Sequence, residues 1–476
     1  MKFFLKIVSL CLALLMLLSA VGCGSNSGDA FIYFELDEKP STLDPQLVQT
    51  RVEAVIVRSI FDTLLRYDED GDIVPSACSD YSVSSLTYTF YIKEDAKWTN
   101  GDELTSYDFE FGLERALDPE LEAPAAATLK AISKISTPDS KTLVITLSED
   151  DPDFLHTLTT PVSMPCNEEF FDSAKGRYGL ELDYTPACGS YYIRKWNDKD
   201  KFLIRLAKNL DYKGDFEARN MRVYFTCDER SNLTMLREAD TDFAYLSAEE
   251  AKNAAKENIS LSLSEDQTGI LFINPSLSDD IRSALSHSIK NSADYYDKLY
   301  GVRVADSIAP AVLNPNGSIS VDRFYNLSLA QSSYADALKK DPEASLNGKK
   351  ILCHSSPAAV TAAKAIAAHW QKNLGAIINI EEVSSLSALR GAYQSGDYTL
   401  IVMPFTAFFN HRGVYLSKFK TDKTTIEAAE AELTSASYCY PLYSESSFTA
   451  HLSYIENADK ISCGGVPDLA LAIKSE

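Results

Sequence analysis

Leu86-Thr-Tyr-Thr-Phe-Tyr-Ile92 and, a few residues on, Ala96-Lys-Trp-Thr-Asn-Gly-Asp-Glu-Leu-Thr-Ser-Tyr-Asp-Phe109 hold a strand, a turn and a helix in close succession. The first stretch alternates apolar and polar side chains, the period of a half-buried strand. Trp98-Thr-Asn-Gly101 is a turn signal between strand and helix. Thr105 is placed to cap the helix, and Asp108 falls in its first turn, where the helix dipole favours negative charge. From Asp108 to Leu117 the apolar positions are Phe109, Leu113, Ala116 and Leu117, one helical face.

The same mixture continues outward in both directions. Lys141-Thr-Leu-Val-Ile-Thr-Leu147 reads as another half-buried strand, and Val360 to Leu374 as a helix with an Ala-rich face. Asp279 caps a segment in which Ile281, Ala284, Leu285 and Ile289 fall on one helical stripe. Strands and helices mixed from Phe31 onward predict an α/β body in several lobes. A chain of 476 residues exceeds what one hydrophobic core serves, so two or three compact units are expected.

The N-terminus has a different pattern. Lys2 and Lys6 precede an apolar run from Ile7 to Val21, the charged and apolar parts of a secretory signal. The run is too short to favour spanning a bilayer, and no later stretch is long and apolar enough. Ala20-Val-Gly-Cys23 followed by Gly24-Ser-Asn-Ser-Gly28 resembles the lipobox of bacterial lipoproteins, with Ala20 where that pattern has Leu or another aliphatic residue. The resemblance implies a signal peptide over 1–22, lipid on the Cys23 sulfur and a flexible tether over 23–28. It also implies that the rest of the chain stands outside the cell, with the anchor as its only membrane element.

Composition excludes several function classes. A formal charge of −23, from 45 basic and 68 acidic residues, argues against nucleic acid or anionic lipid as partner. Besides Cys11 and Cys23 there remain Cys78, Cys166, Cys188, Cys227, Cys353, Cys439 and Cys463, an odd number with no metal-binding spacing. Cys166 with Cys188 and Cys439 with Cys463 could pair; buried thiols in a protein that does not depend on disulfides are the equal alternative. His156, His287, His354, His369, His411 and His451 are dispersed, with no HExxH, GxSxG or P-loop. No metal, cofactor or catalytic residue is called for, and the chain is not expected to be an enzyme.

Several segments, in order, resemble the bacterial extracytoplasmic solute-binding proteins of family 5, the oligopeptide-, dipeptide- and nickel-binding type of ABC-transporter lipoprotein. They are Lys39-Pro-Ser-Thr-Leu-Asp-Pro45, Ile60-Phe-Asp-Thr-Leu-Leu-Arg-Tyr67, Gly71-Asp-Ile-Val-Pro-Ser-Ala77 and the opening block through Phe109. Gly189-Ser-Tyr-Tyr-Ile193 with Trp196, Lys208-Asn-Leu-Asp-Tyr212 and Glu238-Ala-Asp-Thr-Asp242 follow. Ile270-Leu-Phe-Ile-Asn274, Asp280-Ile-Arg-Ser-Ala-Leu-Ser286, Trp370-Gln-Lys-Asn-Leu-Gly375 and Tyr393-Gln-Ser-Gly-Asp-Tyr398 complete the series. Read from the residues alone, these motifs are architecture: Asp44-Pro45 and Pro75 set turns, and Arg282 serves a structural salt bridge or hydrogen bonds.

What the resemblance implies is a two-lobed periplasmic-binding-protein-like fold, type II and cluster C, with an extra subdomain in the first lobe. Lobe one would comprise 29–62, 164–265 and 443–476, its subdomain 63–163, and lobe two 266–442. The lobes would close on a peptide or peptide-like small solute and deliver it, as a monomer, to the permease and ATPase subunits of an ABC importer. The alternative is a lipoprotein of the same fold acting as sensor or chaperone without transport. Carried over from the peptide-binding branch, the ligand-facing positions are Gln49, Thr50 and Arg51 and a strand containing Gln267, Phe272 and Asn274. A third element adds Pro404, Phe405 and Phe408. Phe408 stands where peptide binders carry an aspartate for the peptide's α-ammonium, and Phe405 where they carry a Trp. Either a nearby acid such as Asp397 substitutes, or the ligand has no free amino terminus, because a buried ammonium without a carboxylate partner costs several kcal/mol.

Overall fold

The computed structural model describes residues 31–68, 71–197, 201–212, 214, 220, 222–257, 259–313, 325–407, 412–416, 418–421, 423, 426–457, 461–462 and 466–474. The signal, the tether with Cys23, and Phe408 lie outside the described residues.

The strand-turn-helix stretch folds as its pattern dictates. Thr87–Ile92 pairs antiparallel with Cys78–Ser84 and with Thr142–Leu147, and Ile132–Asp139 completes a four-stranded sheet. Leu143, Ile145 and Leu147 point into the core, as alternation demands. The turn closes through Gly101 N–H to Trp98 O at 3.0 Å, with Gly101 at φ +98°, a conformation side chains avoid. The helix runs Ser106–Leu117, and Asp108 Oδ2 accepts from the Thr105 backbone N–H at 2.7 Å to complete a capping box. In Asp279–His287 the cap is Ser278, whose Oγ accepts from Ile281 N, so Asp279 occupies the first turn instead. Arg282 binds the Ala436 and Pro275 carbonyls at 3.1 and 3.2 Å and pairs with Asp279, a structural role.

An eleven-stranded mixed sheet forms the spine. Its two central strands are long: Ile259–Ile273 and Cys439–Leu452, antiparallel to one another. Their outer halves pair 259–264 with 447–452, and here Phe243–Leu246 joins, leading through Phe31–Glu35 to Arg222–Cys227, Phe202–Lys208 and Tyr191–Asn197. Their inner halves pair 267–272 with 439–445, and here Leu400–Thr406 joins, leading to Lys350–His354 and Asn379–Val383. One sheet therefore passes from the first lobe into the second.

Each lobe has its own apolar interior. The first packs residues between Ile32 and Tyr245 with Ile455, Val466, Leu469 and Ala472, and it includes the small four-stranded sheet. In the second, successive residues of the central strand enter opposite layers: Leu271 and Ile273 pack with Trp370 and Leu285, whereas Ile270 and Phe272 pack with Phe405 and Tyr415. This is the signature of a strand covered on both faces. Cys166, Cys188 and Cys439 are free thiols, so the suggested Cys166–Cys188 pair does not form; Cys463 lies outside the described residues. Cys166 Sγ accepts from Arg115 at 3.4 Å and Cys188 Sγ from Asp62 N at 3.4 Å, so each thiol has its own partner.

Candidate binding cleft

The two lobes meet where the long strands lose register. Ser264 is opposite Ser447 and Gln267 opposite Glu445, so Glu265 and Asp266 share the single position of Ser446, a β-bulge. A regular strand would turn Asp266 and Gln267 to opposite faces. The bulge instead brings both to one cavity of about 340 Å³. Glu265 is held elsewhere, by Arg303 at 2.8 and 3.1 Å.

The first lobe contributes Asp37, Glu38, Thr50 and Arg51 to the cavity. Thr50 caps the helix Arg51–Ile60, and Glu53 at its third position accepts from the backbone N–H groups of Gln49 and Thr50 at 2.8 and 3.1 Å. That box fixes where Arg51 starts. The Arg51 guanidinium lies 4.0 Å from the Tyr245 ring centroid and donates to Asp37 Oδ2 at 2.6 Å. The second lobe adds Thr406 and Ala407, and the Ala407 N–H donates to the Asp266 carbonyl at 2.7 Å.

Two carboxylates from adjacent strands dominate the floor. Asp266 is 6% exposed; its Oδ2 accepts from Ser447 Oγ at 2.6 Å, while Oδ1 is buried without a hydrogen-bond partner among the described residues. Burial raises its pKa, against the opposing pull of Ser447 and Arg51. Burial and the neighbouring Asp266 charge push Glu445 up to about 7. Four acids thus face one guanidinium that Asp37 already holds. At another point the lobes touch directly: the helix Arg412–Leu416 lies against Ala126–Leu129, and Arg412 Nε is 3.6 Å from Asp153 Oδ2.

Of the positions expected from sequence, Thr50, Arg51 and Gln267 come together on this cavity. Gln49 is exposed beside it, its backbone committed to Glu53. Phe272 is buried in the second lobe, 4.5 Å from Tyr393 and 5.3 Å from Phe405, and Phe405 in turn stacks 5.0 Å from Phe419. Pro404 is buried opposite Gly269 and does not line the cavity. Asn274 binds the Gly396 carbonyl at 3.0 Å beyond the strand end. Asp397 is exposed beside Gly396, before the strand Leu400–Thr406, whose opposite end supplies Thr406 to the cavity. Asp37, Asp266 and Glu445 were not singled out by sequence; the signal available was Glu265-Asp266 interrupting an otherwise alternating strand.

A single sheet threading two lobes, with a cavity at the crossing lined from both sides, defines a two-lobed solute-binding protein. The chain belongs to the bacterial extracellular solute-binding proteins, family 5, whose middle region matches residues 72–425. The dipeptide-binding protein DppE of Bacillus subtilis is 25% identical over 317 residues, covering 61% of this chain and 58% of that protein. The oligopeptide-binding protein OppA of the same species is 23% identical over 460 residues, 87% of this chain and 84% of that protein. Peptide-bound OppA of Listeria monocytogenes shares the fold at TM-score 0.74 and 20% identity, covering 94% of this chain and 100% of that one. The family and these relatives are binding proteins rather than enzymes. Among the described residues no helix is long and apolar enough to cross a membrane.

Proposed function

We propose that this chain is the extracytoplasmic capture subunit of an ABC importer, taking a peptide or related small solute between its lobes and passing it to a membrane permease. The observation that carries the reading is the cavity at the strand crossing, to which both lobes and both crossing strands contribute. Lobe one is 29–62, 164–265 and 443–476 with its subdomain 63–163, and lobe two is 266–442; the separate apolar interiors support that division. Thr50, Arg51 and Gln267 are the ligand-facing positions carried over from the sequence that line the cavity. The protein acts as a monomer, lipid-anchored through Cys23 to the outer face of the cell membrane. The basic start, apolar run and Gly/Ser/Asn tether support that anchoring. Labelling with a radioactive fatty acid should mark the wild type and not Cys23→Ser.

Thermal melting of the purified protein with pools of short peptides tests the cargo. A ligand that binds only the folded state at a hundred times its Kd adds about 2.7 kcal/mol of stability, a readily measured rise in Tm. A set of non-peptide solutes that raises Tm where no peptide pool does would end the peptide reading.

A further inference from the structure

We infer that the Arg51–Asp37 ion pair is a movable partition that sets the length of ligand the cleft accepts. This rests on the cleft being the ligand site, and it names what limits the cargo there. A second cavity, of about 360 Å³, lies in the first lobe beside the cavity at the strand crossing. Asp37, Arg51 and Leu246 line both, so these three residues form the common wall. The crossing cavity alone, at about 340 Å³, is near the lower end of the range of ligand pockets, roughly 300–1,000 Å³. Joined to its neighbour, it would hold a ligand about twice as large.

The wall has a fixed part and a loose part. Leu246 is buried at the end of the strand Phe243–Leu246 and stays with the sheet. The Arg51 and Asp37 side chains are 24% and 42% exposed, and one contact of 2.6 Å joins them. An ion pair this exposed contributes little net stability, because water serves each charge almost as well. Arg51 also has a support that survives opening. Its guanidinium lies 4.0 Å from the Tyr245 ring centroid, and the Tyr245 hydroxyl donates to the Arg51 carbonyl at 3.4 Å. Tyr245 is fully buried, so the guanidinium can release Asp37 while still resting on a fixed ring. The start of the helix that carries Arg51 does not have to move either, since Thr50 and Glu53 close its capping box.

The chamber behind the partition is already built. Ser231 Oγ donates to Glu250 Oε1 at 2.6 Å and Ser247 Oγ to Glu250 Oε2 at 2.9 Å, while Asn232 Nδ2 donates to the Tyr245 carbonyl at 2.8 Å. All five of these residues line the second cavity. Their hydrogen bonds are internal to the first lobe, so an entering ligand meets preorganised walls, and the partition is what has to shift. A short ligand stays in the crossing cavity and leaves the ion pair intact. A longer one has to break it, and its affinity is reduced by what the pair contributes.

The test is isothermal titration of the full-length protein with two pools of peptides of mixed uncharged side chains, one of di- and tripeptides and one of penta- and hexapeptides. The quantity read is the ratio of long-pool to short-pool affinity. In Arg51→Ala the ratio should rise about tenfold, because the ion pair and the bulk of the partition are both gone. In Asp37→Ala, where the stack on Tyr245 remains, it should rise about three- to fivefold. Raising salt from about 50 to about 500 mM should raise the ratio in the wild type and not in Asp37→Ala, because an exposed pair is screened. The wild-type salt series decides the matter where a variant folds poorly. A ratio that neither substitution nor salt changes, or that salt changes equally in wild type and Asp37→Ala, overturns the inference and leaves the peptide reading standing. Silence from both pools overturns the peptide reading and the inference with it.

Discussion

Asp44 in the first lobe and Asp266 at the strand crossing are buried to nearly the same depth, 3% and 6% exposed, and are treated in opposite ways. Asp44 accepts from Arg115 Nη2 at 2.7 Å and Nη1 at 3.3 Å, and from the Gln46 backbone at 3.2 Å. Arg115 also binds Gln46 Oε1 at 2.7 Å and stacks its guanidinium 4.1 Å from the Phe171 ring. Every partner of Asp44 is internal, so the cluster is complete within the lobe. Asp266 accepts from the Ser447 hydroxyl through Oδ2, while its Oδ1 is buried with no hydrogen-bond partner among the described residues. Equal burial therefore hides a difference between these two acids, which lies in the completeness of their hydrogen bonding.

The sharpest way to break that distinction is to remove one partner on each side. Arg115→Ala leaves Asp44 as an uncompensated buried charge and should cost about 3–5 kcal/mol of stability. Asp266→Asn keeps shape, removes a charge without a counter-ion partner and should leave the ligand-free protein as stable as wild type or slightly more so. Thermal or urea unfolding of both variants reads the contrast. Equal damage from the two would mean that Asp266 is as internally committed as Asp44.

Much of the first lobe was legible because its signals are local. Thr105 and Asp108 stand three apart, Trp98-Thr-Asn-Gly101 is contiguous, and both motifs appear at the expected places. The second-lobe helix Pro357–Leu374 was visible from its apolar period within a few residues of its start. Asp266 and Glu445 are separated by most of the second lobe in sequence, and no local pattern relates them. Alternation places Asp266 and Gln267 on opposite faces, so a period-two reading hides the bulge that unites them. Phe272, Phe405 and Asn274 were reached through the family's motifs rather than their own surroundings. The structure sets their side chains in the second-lobe core or beyond the strand end, since apolar side chains on a doubly covered strand serve packing on either face.

Gly269 faces Tyr443 across the two crossing strands, and a Cβ there would overlap the Tyr443 ring, which is fully buried. Gly269→Ala should cost about 1–3 kcal/mol, measured by unfolding, because the ring has no empty space to enter. A neutral substitution would show that the crossing relaxes more easily than its packing implies.

The pH dependence of stability contrasts the two kinds of acid again, with a smaller effect. Glu445 has its folded value raised from 4.5 to about 7, so the folded chain holds that proton more tightly than the unfolded one. Its contribution is fully present below about 4.5 and is lost as pH rises through about 7. Asp468 is the reverse: burial, the largest single influence, would raise it, but Arg66, Arg58 and the Ala470 N–H together outweigh burial and lower it, so its contribution is present above the unfolded value and lost as pH falls through the folded one. Melting temperatures of the ligand-free protein between pH 5 and 8 should therefore fall more in wild type than in Glu445→Gln. Parallel curves would place the Glu445 carboxyl in water rather than in the floor of the cleft.

The smallest effect belongs to the contact between lobes away from the crossing. Arg412 and Asp153 are partly exposed and 3.6 Å apart, the geometry of a surface ion pair, which contributes on the order of 0–1 kcal/mol. Such a pair forms only when the lobes are together, so its energy enters ligand affinity through the closed state alone. Asp153→Asn should weaken binding by at most about fivefold, and raised salt should shrink the difference between variant and wild type, because exposed charges are screened. A loss in Asp153→Asn that is large and indifferent to salt would mean that the mouth of the cleft, and not its floor, holds the ligand.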